Sequence, residues 1–152
     1  MAIDRKHIGE VSEPRVIDVE KGQLRFFAKA TNETNPIYFD EEAAKAAGHP
    51  AIPAPPTFLF SLALGAPAKI GNILDSDSGM GVDLRRILHG EQRFEYDRPI
   101  YAGDRVTLIT TTSDIYEKKG GALAFVAQDT EARNDAGERL ATMRVVTVVR
   151  NG

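Results

Sequence analysis

The C-terminal part of the chain restricts the possible folds more than any other. Three β-rich stretches, Arg105 to Glu117, Ala122 to Arg133 and Arg139 to Arg150, follow one another almost without interruption. Thr, Val and Ile dominate the first, and Val145, Val146, Val148 and Val149 crowd the end of the last; such runs read as strands. Lys118-Lys119-Gly120-Gly121 is a hairpin connection, and Asn134-Asp135-Ala136-Gly137 is another tight turn. Strands joined this closely leave no length for a crossover, so they pair antiparallel. An earlier strand, Glu91 to Arg98, alternates imperfectly; Pro99 ends it and Gly103-Asp104 turns the chain.

Ahead of the strands the period changes. After a polar arm and a short β-branched run, Arg15 to Val19, the residues Leu24, Phe27, Ala28 and Thr31 recur at helical steps from Lys21 onward. Asn32 is a stop for that helix. Asp40 caps a second helix, to Ala47, with Gly48 in the left-handed closing position. A proline-rich crossing, Pro50 to Pro56, leads into an apolar helix from Thr57 to about Lys69. Phe58, Leu59, Leu62, Ala63 and Ala66 make one broad face of it, and Phe60 and Leu64 extend the apolar surface nearly all round. Asn72 to Asp83 is a loop. Helices followed by a run of strands predict an α+β fold. The expectation is a single domain over residues 1–152, its antiparallel sheet wrapped around a long central apolar helix. An open sheet leaves edges, which favours pairing with a second copy or a relative.

Composition narrows the function by exclusion. A net charge of −3 and a pI near 5.6 give no nucleic-acid footprint. The most apolar segment, Phe58 to Ile70, is broken by Ser61, Gly65, Pro67 and Lys69, too interrupted to span a bilayer. The N-terminal MAIDRKHIGE has no apolar signal-peptide core. Cysteine is absent, which fits a reducing compartment; the expected location is the cytoplasm. His7, His49 and His89 are scattered without paired spacing, so no metal site is expected. Gly79-Met80-Gly81 lacks the strand-turn-helix setting of a nucleotide loop, and no cofactor is implied.

The chemistry-bearing stretch is Ala30 to Ser61. It contains Thr31-Asn32-Glu33-Thr34-Asn35-Pro36-Ile37-Tyr38, an acidic-alanine helix ending in Gly48, then Ile52-Pro53-Ala54-Pro55-Pro56-Thr57. Later come Gly90-Glu91-Gln92-Arg93-Phe94, Pro99-Ile100 and Gly103-Asp104. In this order and spacing the chain resembles the MaoC-like dehydratases of the hot-dog superfamily, especially their N-terminal, fatty-acid-synthase-type dehydratase domains. The family's hydratase motif is Ser/Thr-Gly-Asp-x-Asn-Pro-Ile/Leu-His, followed by Pro-Ile-Ala/Val-His-Gly-Met.

The resemblance implies reversible addition of water to a trans-2-enoyl thioester of CoA or acyl carrier protein, giving the (R)-3-hydroxyacyl product. In the family a carboxylate and a histidine activate the water, and a backbone N–H at the start of the central helix polarises the thioester carbonyl. Mapped residue by residue, it makes Glu33, Tyr38 and Asn35 the candidate catalytic residues and Pro56, Thr57 and Ser61 the candidate substrate-binding residues. This chain departs at three points. Glu33 replaces Asp and remains a carboxylate. Tyr38 replaces His; a phenol is a poor proton shuttle near neutral pH. Pro56 replaces Gly and has no N–H to give. Two readings follow. One is a hydro-lyase acting as a homodimer or heterodimer. The other is an acyl-binding subunit whose hot-dog partner carries the intact Asp and His. A thioesterase shares the fold but is disfavoured by the Asn-Pro motif. Arg85, Arg86, Lys118 and Lys119 are positioned in sequence either to meet CoA phosphates or simply to be solvated.

Overall fold

The computed structural model describes residues 3–152. Its frame is one five-stranded antiparallel sheet in the order β1-β3-β4-β5-β2. The strands are β1 (Arg15–Asp18), β2 (Ile87–Tyr96), β3 (Arg105–Lys118), β4 (Leu123–Arg133) and β5 (Arg139–Arg150). The three C-terminal strands lie where their sequence predicts. Gly120 and Gly121, with φ of 63° and 89°, carry the β3–β4 connection. Gly137 at 78°, with the Glu138 N–H donating to Asn134 Oδ1 at 2.9 Å, closes the β4–β5 turn. Strand β2 starts earlier than expected. Leu88 pairs with Val148 and His89 with Thr147, and a bulge at Gly90 then shifts the register. A Cβ on Gly90 would lie 2.7 Å from Val148 Cγ2 and 2.9 Å from the Val146 carbonyl oxygen, so only glycine fits that approach.

Three α-helices pack on the sheet: α1 (Lys21–Ala30), α2 (Glu41–Ala46) and α3 (Phe58–Gly65). The expected central helix is present and shorter than its apolar run. It has eight residues and ends at Gly65, because Pro67 cannot continue it. Phe58, Leu59 and Leu62 are its buried face and meet Val106, Leu108, Ala132, Ala141 and Met143 of the sheet. Leu64 stays 65% exposed, so the helix is not wrapped on all sides as its composition predicts. Phe27 of α1 packs edge-on against Phe58, with ring centroids 5.3 Å apart. The loop from Asn72 to Asp83 has no helix or strand, as expected.

The two edges of the sheet differ. Strand β1 has four residues, and the N-terminal arm continues its line along β3 through a Val11–Thr111 bridge. Strand β2 has ten residues and, among the described residues, no strand neighbour on its outer side, with Leu88 49% exposed. None of the described helices is long and apolar enough to cross a membrane.

Candidate functional site

Both loops that build the site leave a helix by the same device. Helix α1 ends with Asn32 in the left-handed region at φ 58°. The Asn32 N–H donates to the Lys29 carbonyl and the Glu33 N–H to the Ala28 carbonyl, at 3.1 and 2.9 Å. Helix α2 ends with Gly48 at φ 91°; the Gly48 N–H donates to Lys45 and the His49 N–H to Ala44, at 3.0 and 2.9 Å. These are paired Schellman closures, which hold the residue after the left-handed position in one place. Glu33 and His49 are those two residues.

Glu33 then organises the turn that follows. Its Oε1 accepts from the Thr34 and Asn35 N–H groups at 2.9 and 3.1 Å. Asn35 Oδ1 accepts from the Ile37 N–H at 3.2 Å and caps the 3₁₀ turn Pro36–Tyr38. Tyr38 is the product of this scaffold. Burial, and secondarily the charge of Glu33, push its phenol above the ordinary range.

Tyr38 and Pro56 line a cleft of about 370 Å³ at the start of α3, together with His49, Tyr96, Asp97 and Arg98. His49 Nδ1 lies 3.0 Å from the Tyr101 hydroxyl, which orients the ring and leaves Nε2 unengaged by it. The Tyr96 hydroxyl donates to the Pro56 carbonyl, and burial pushes Tyr96 up to about 12. Pro56 offers no N–H, and the first helical turn begins with Phe58 donating to the Pro55 carbonyl at 2.9 Å.

Of the six candidate residues, the structure places Tyr38 and Pro56 in this cleft. Glu33 and Asn35 form the turn behind Tyr38, Thr57 heads α3, and Ser61 lies within it. Motif reading assigned no site role to His49, Tyr96 or Arg98. The signal available for His49 was its position directly after the closing Gly48. Tyr96 and Arg98 stand just before Pro99, remote in sequence from the motif.

A second space of about 380 Å³ runs along the other end of α3. Phe60, Ala63, Ile73, Leu88, Met143 and Val145 supply its apolar walls. His89 stacks edge-on against Phe60 with centroids 5.0 Å apart, which accounts for that histidine as part of the wall. Among the described residues no His, Cys, Asp or Glu cluster could hold a metal ion. Arg86 donates to the Arg150 carbonyl and Asn151, and Lys118 lies 4.9 Å from the Phe125 ring centroid. These two basic groups thus have structural partners.

Residues 6–143 match the family model described as FAS1-like, dehydratase domain region. A UPF0336 protein of Streptomyces coelicolor is 38% identical over 99% of this chain and 97% of its own length. Among solved structures, the C-terminally truncated HadBC (3R-hydroxyacyl-ACP dehydratase) complex from Mycobacterium tuberculosis superposes with a TM-score of 0.79 at 28% identity, covering 97% of this chain and 99% of that one. The ChsH1-ChsH2 complex from the same organism gives 0.71 at 24% identity over 92% and 88%, a likeness of fold.

Proposed function

This chain belongs to the FAS1-like dehydratase region family of MaoC-like, hot-dog proteins, and from that premise we propose that it is the acyl-holding subunit of a two-chain (R)-3-hydroxyacyl-thioester dehydratase. The observation that carries the reading is Tyr38. It stands where the family's motif has histidine, and its phenol is raised above an already alkaline value. Such a group donates a hydrogen bond but does not exchange a proton near neutral pH. Pro56 removes the helix-start N–H at the same place. The apolar cavity along α3 remains open for a chain. The partner is a second hot-dog chain that supplies the Asp and His, seated along the unpaired β2 edge.

A second reading rests on His49. It lines the cleft with Tyr38 and is oriented by Tyr101. In that reading the chain hydrates enoyl thioesters by itself, with His49 in place of the motif histidine and Glu33 as the carboxylate.

One assay separates them. The purified chain is mixed with a trans-2-enoyl-CoA and the conjugated absorbance is followed, with and without a hot-dog chain carrying Asp and His. The subunit reading expects a silent chain that binds the acyl thioester and raises its partner's rate. Turnover by the chain alone, lost by roughly 10²–10⁴-fold in His49→Ala, establishes the second reading.

A further inference from the structure

The cavity along α3 is mostly apolar, and its one cationic side chain among the described residues, histidine aside, is Arg15. Arg15, on the short strand β1, reaches its wall from across the sheet. The Nη1 group donates to the Ala66 carbonyl at 2.8 Å and Nη2 to Thr110 Oγ1 at 2.6 Å. Thr110 Oγ1 in turn lies 2.8 Å from Thr130 Oγ1. Gln128 Nε2, also in the wall, donates to the Gly71 carbonyl and to Thr112. A guanidinium has five N–H donors. The Nε of Arg15 is buried and has no partner, and no ion pair involves Arg15 among the described residues.

The charge is therefore under-compensated. Burial is the main influence on Arg15 and pulls its pKa down. Glu13 is the carboxylate that acts on it, and the Glu13 side chain is engaged by the Lys69 and Ile70 N–H groups at 2.6 and 3.2 Å. An arginine kept half-buried without an ion pair costs stability, and its counterpart is an anion brought by a ligand.

Its place in the fold says which part of the ligand. The cleft with Tyr38 and Pro56 lies at the N-terminal start of α3, and Arg15 holds Ala66 at the C-terminal end of the same helix. In the acyl-holding reading this cavity takes the chain, and Arg15 lines it at the end of α3 remote from the Tyr38 cleft, the end suited to a chain's tail.

We infer that the cavity selects an acyl chain bearing a carboxylate at its distal end, bound by Arg15 with the Thr110–Thr130 hydroxyl pair and Gln128 alongside. The inference rests on the acyl-holding reading above and adds the substrate class to it. Arginine matches a carboxylate through two parallel N–H···O contacts, and such charge-assisted pairs are strong where water is excluded.

Octanoyl-CoA and suberyl-CoA have the same carbon count and differ only in the terminal carboxylate. Each is titrated calorimetrically into the full chain at pH 7.5. The expected result is roughly tenfold tighter binding of suberyl-CoA. Arg15→Gln should abolish that preference while octanoyl-CoA binding persists. Thr130→Val, a near-isosteric change that spares the guanidinium, should reduce it. Equal or tighter binding of octanoyl-CoA to the unaltered chain overturns the carboxylate inference and leaves the acyl-holding reading standing. A preference undiminished in Arg15→Gln also overturns it. If neither thioester binds, the acyl-holding reading falls as well.

Discussion

The two ends of α3 are built from different materials. At its start, the cleft is made of turns: two Schellman closures, an Asx-capped 3₁₀ turn and a proline crossing, with hydroxyl, imidazole and guanidinium groups around it. Along its far end, the cavity is made mainly of side chains from α3, β2, β5 and the loop that follows α3, and it is mostly apolar, with the group around Arg15 as its main polar cluster. In the proposed division of labour the first region has kept the shape of a catalytic site without its proton carrier, and the second has kept its capacity to hold a chain. The two helix closures survive side-chain replacement, because their hydrogen bonds run from main chain to main chain, and the turn between them keeps its shape as long as Glu33 and Asn35 keep their acceptors. Catalytic competence does not, since it depends on one pKa and one N–H.

The strongest test breaks the comparison at its catalytic end. In the two-chain complex, removing the partner's motif carboxylate should lower the rate by roughly 10²–10⁴-fold, whereas Glu33→Gln in this chain should change it less than about threefold. A large loss from Glu33→Gln, measured as kcat at saturating enoyl thioester, would move the chemistry back into this chain.

At the apolar end, Ala63→Phe places a ring in the cavity beside Phe60. Acyl-thioester affinity should fall roughly 10–100-fold by calorimetry, with the assembled complex still forming. Tyr38→Phe, at the other end, should leave acyl affinity within about twofold. Equal losses from both changes would mean that the two spaces act as one site.

The loop wall is a weaker point of attack. A Cβ on Gly79 would lie 1.9 Å from the Asn72 carbonyl oxygen, which already accepts from the Met80 N–H at 2.8 Å. Asn72 and its neighbours Ile73 and Leu74 line the cavity. Gly79→Ala should cost roughly 3 kcal/mol or more in denaturant unfolding, because the clash is with the backbone of Asn72 and Asp75 and the loop has to move, and it should weaken acyl binding.

Much of this was legible in the chain. The β3–β4–β5 meander followed from strand composition and the Gly-rich turns, and both helix ends followed from Asn32 and Gly48. The family and its hot-dog fold followed from the motif order in Ala30 to Ser61. The length of α3 did not. The apolar run to Lys69 reads as one helix in spite of Gly65 and Pro67, which end it, and part of that run became cavity wall. Nor could the motif announce Arg15 or Tyr96. Their roles depend on sheet register, with Arg15 opposite Leu108 and Tyr96 opposite Ala141, and on contacts spanning 51 and 40 residues. Helix period and turn chemistry are local signals; which strand faces which is not.

The smallest effect concerns the cleft alone, and it tells its two phenols apart. Tyr96 is raised to about 12 by burial, while Tyr38 is raised by burial and, in part, by the charge of Glu33. In both, folding favours the neutral phenol. The associated stability is therefore complete below the ordinary tyrosine value of about 10 and is lost as pH rises through the folded-state value. For Tyr96 the window is about pH 10 to 12. Phenolate absorbance should show a late step near 12 that is absent in Tyr96→Phe, and the variant should lose less stability across that window. Glu33→Gln should shift Tyr38 back toward 10 and leave the late step in place. A late step that moves with Glu33→Gln would mean that the two tyrosines share one electrostatic environment, and the turn and the β2 strand would then have to be treated as a single titrating unit.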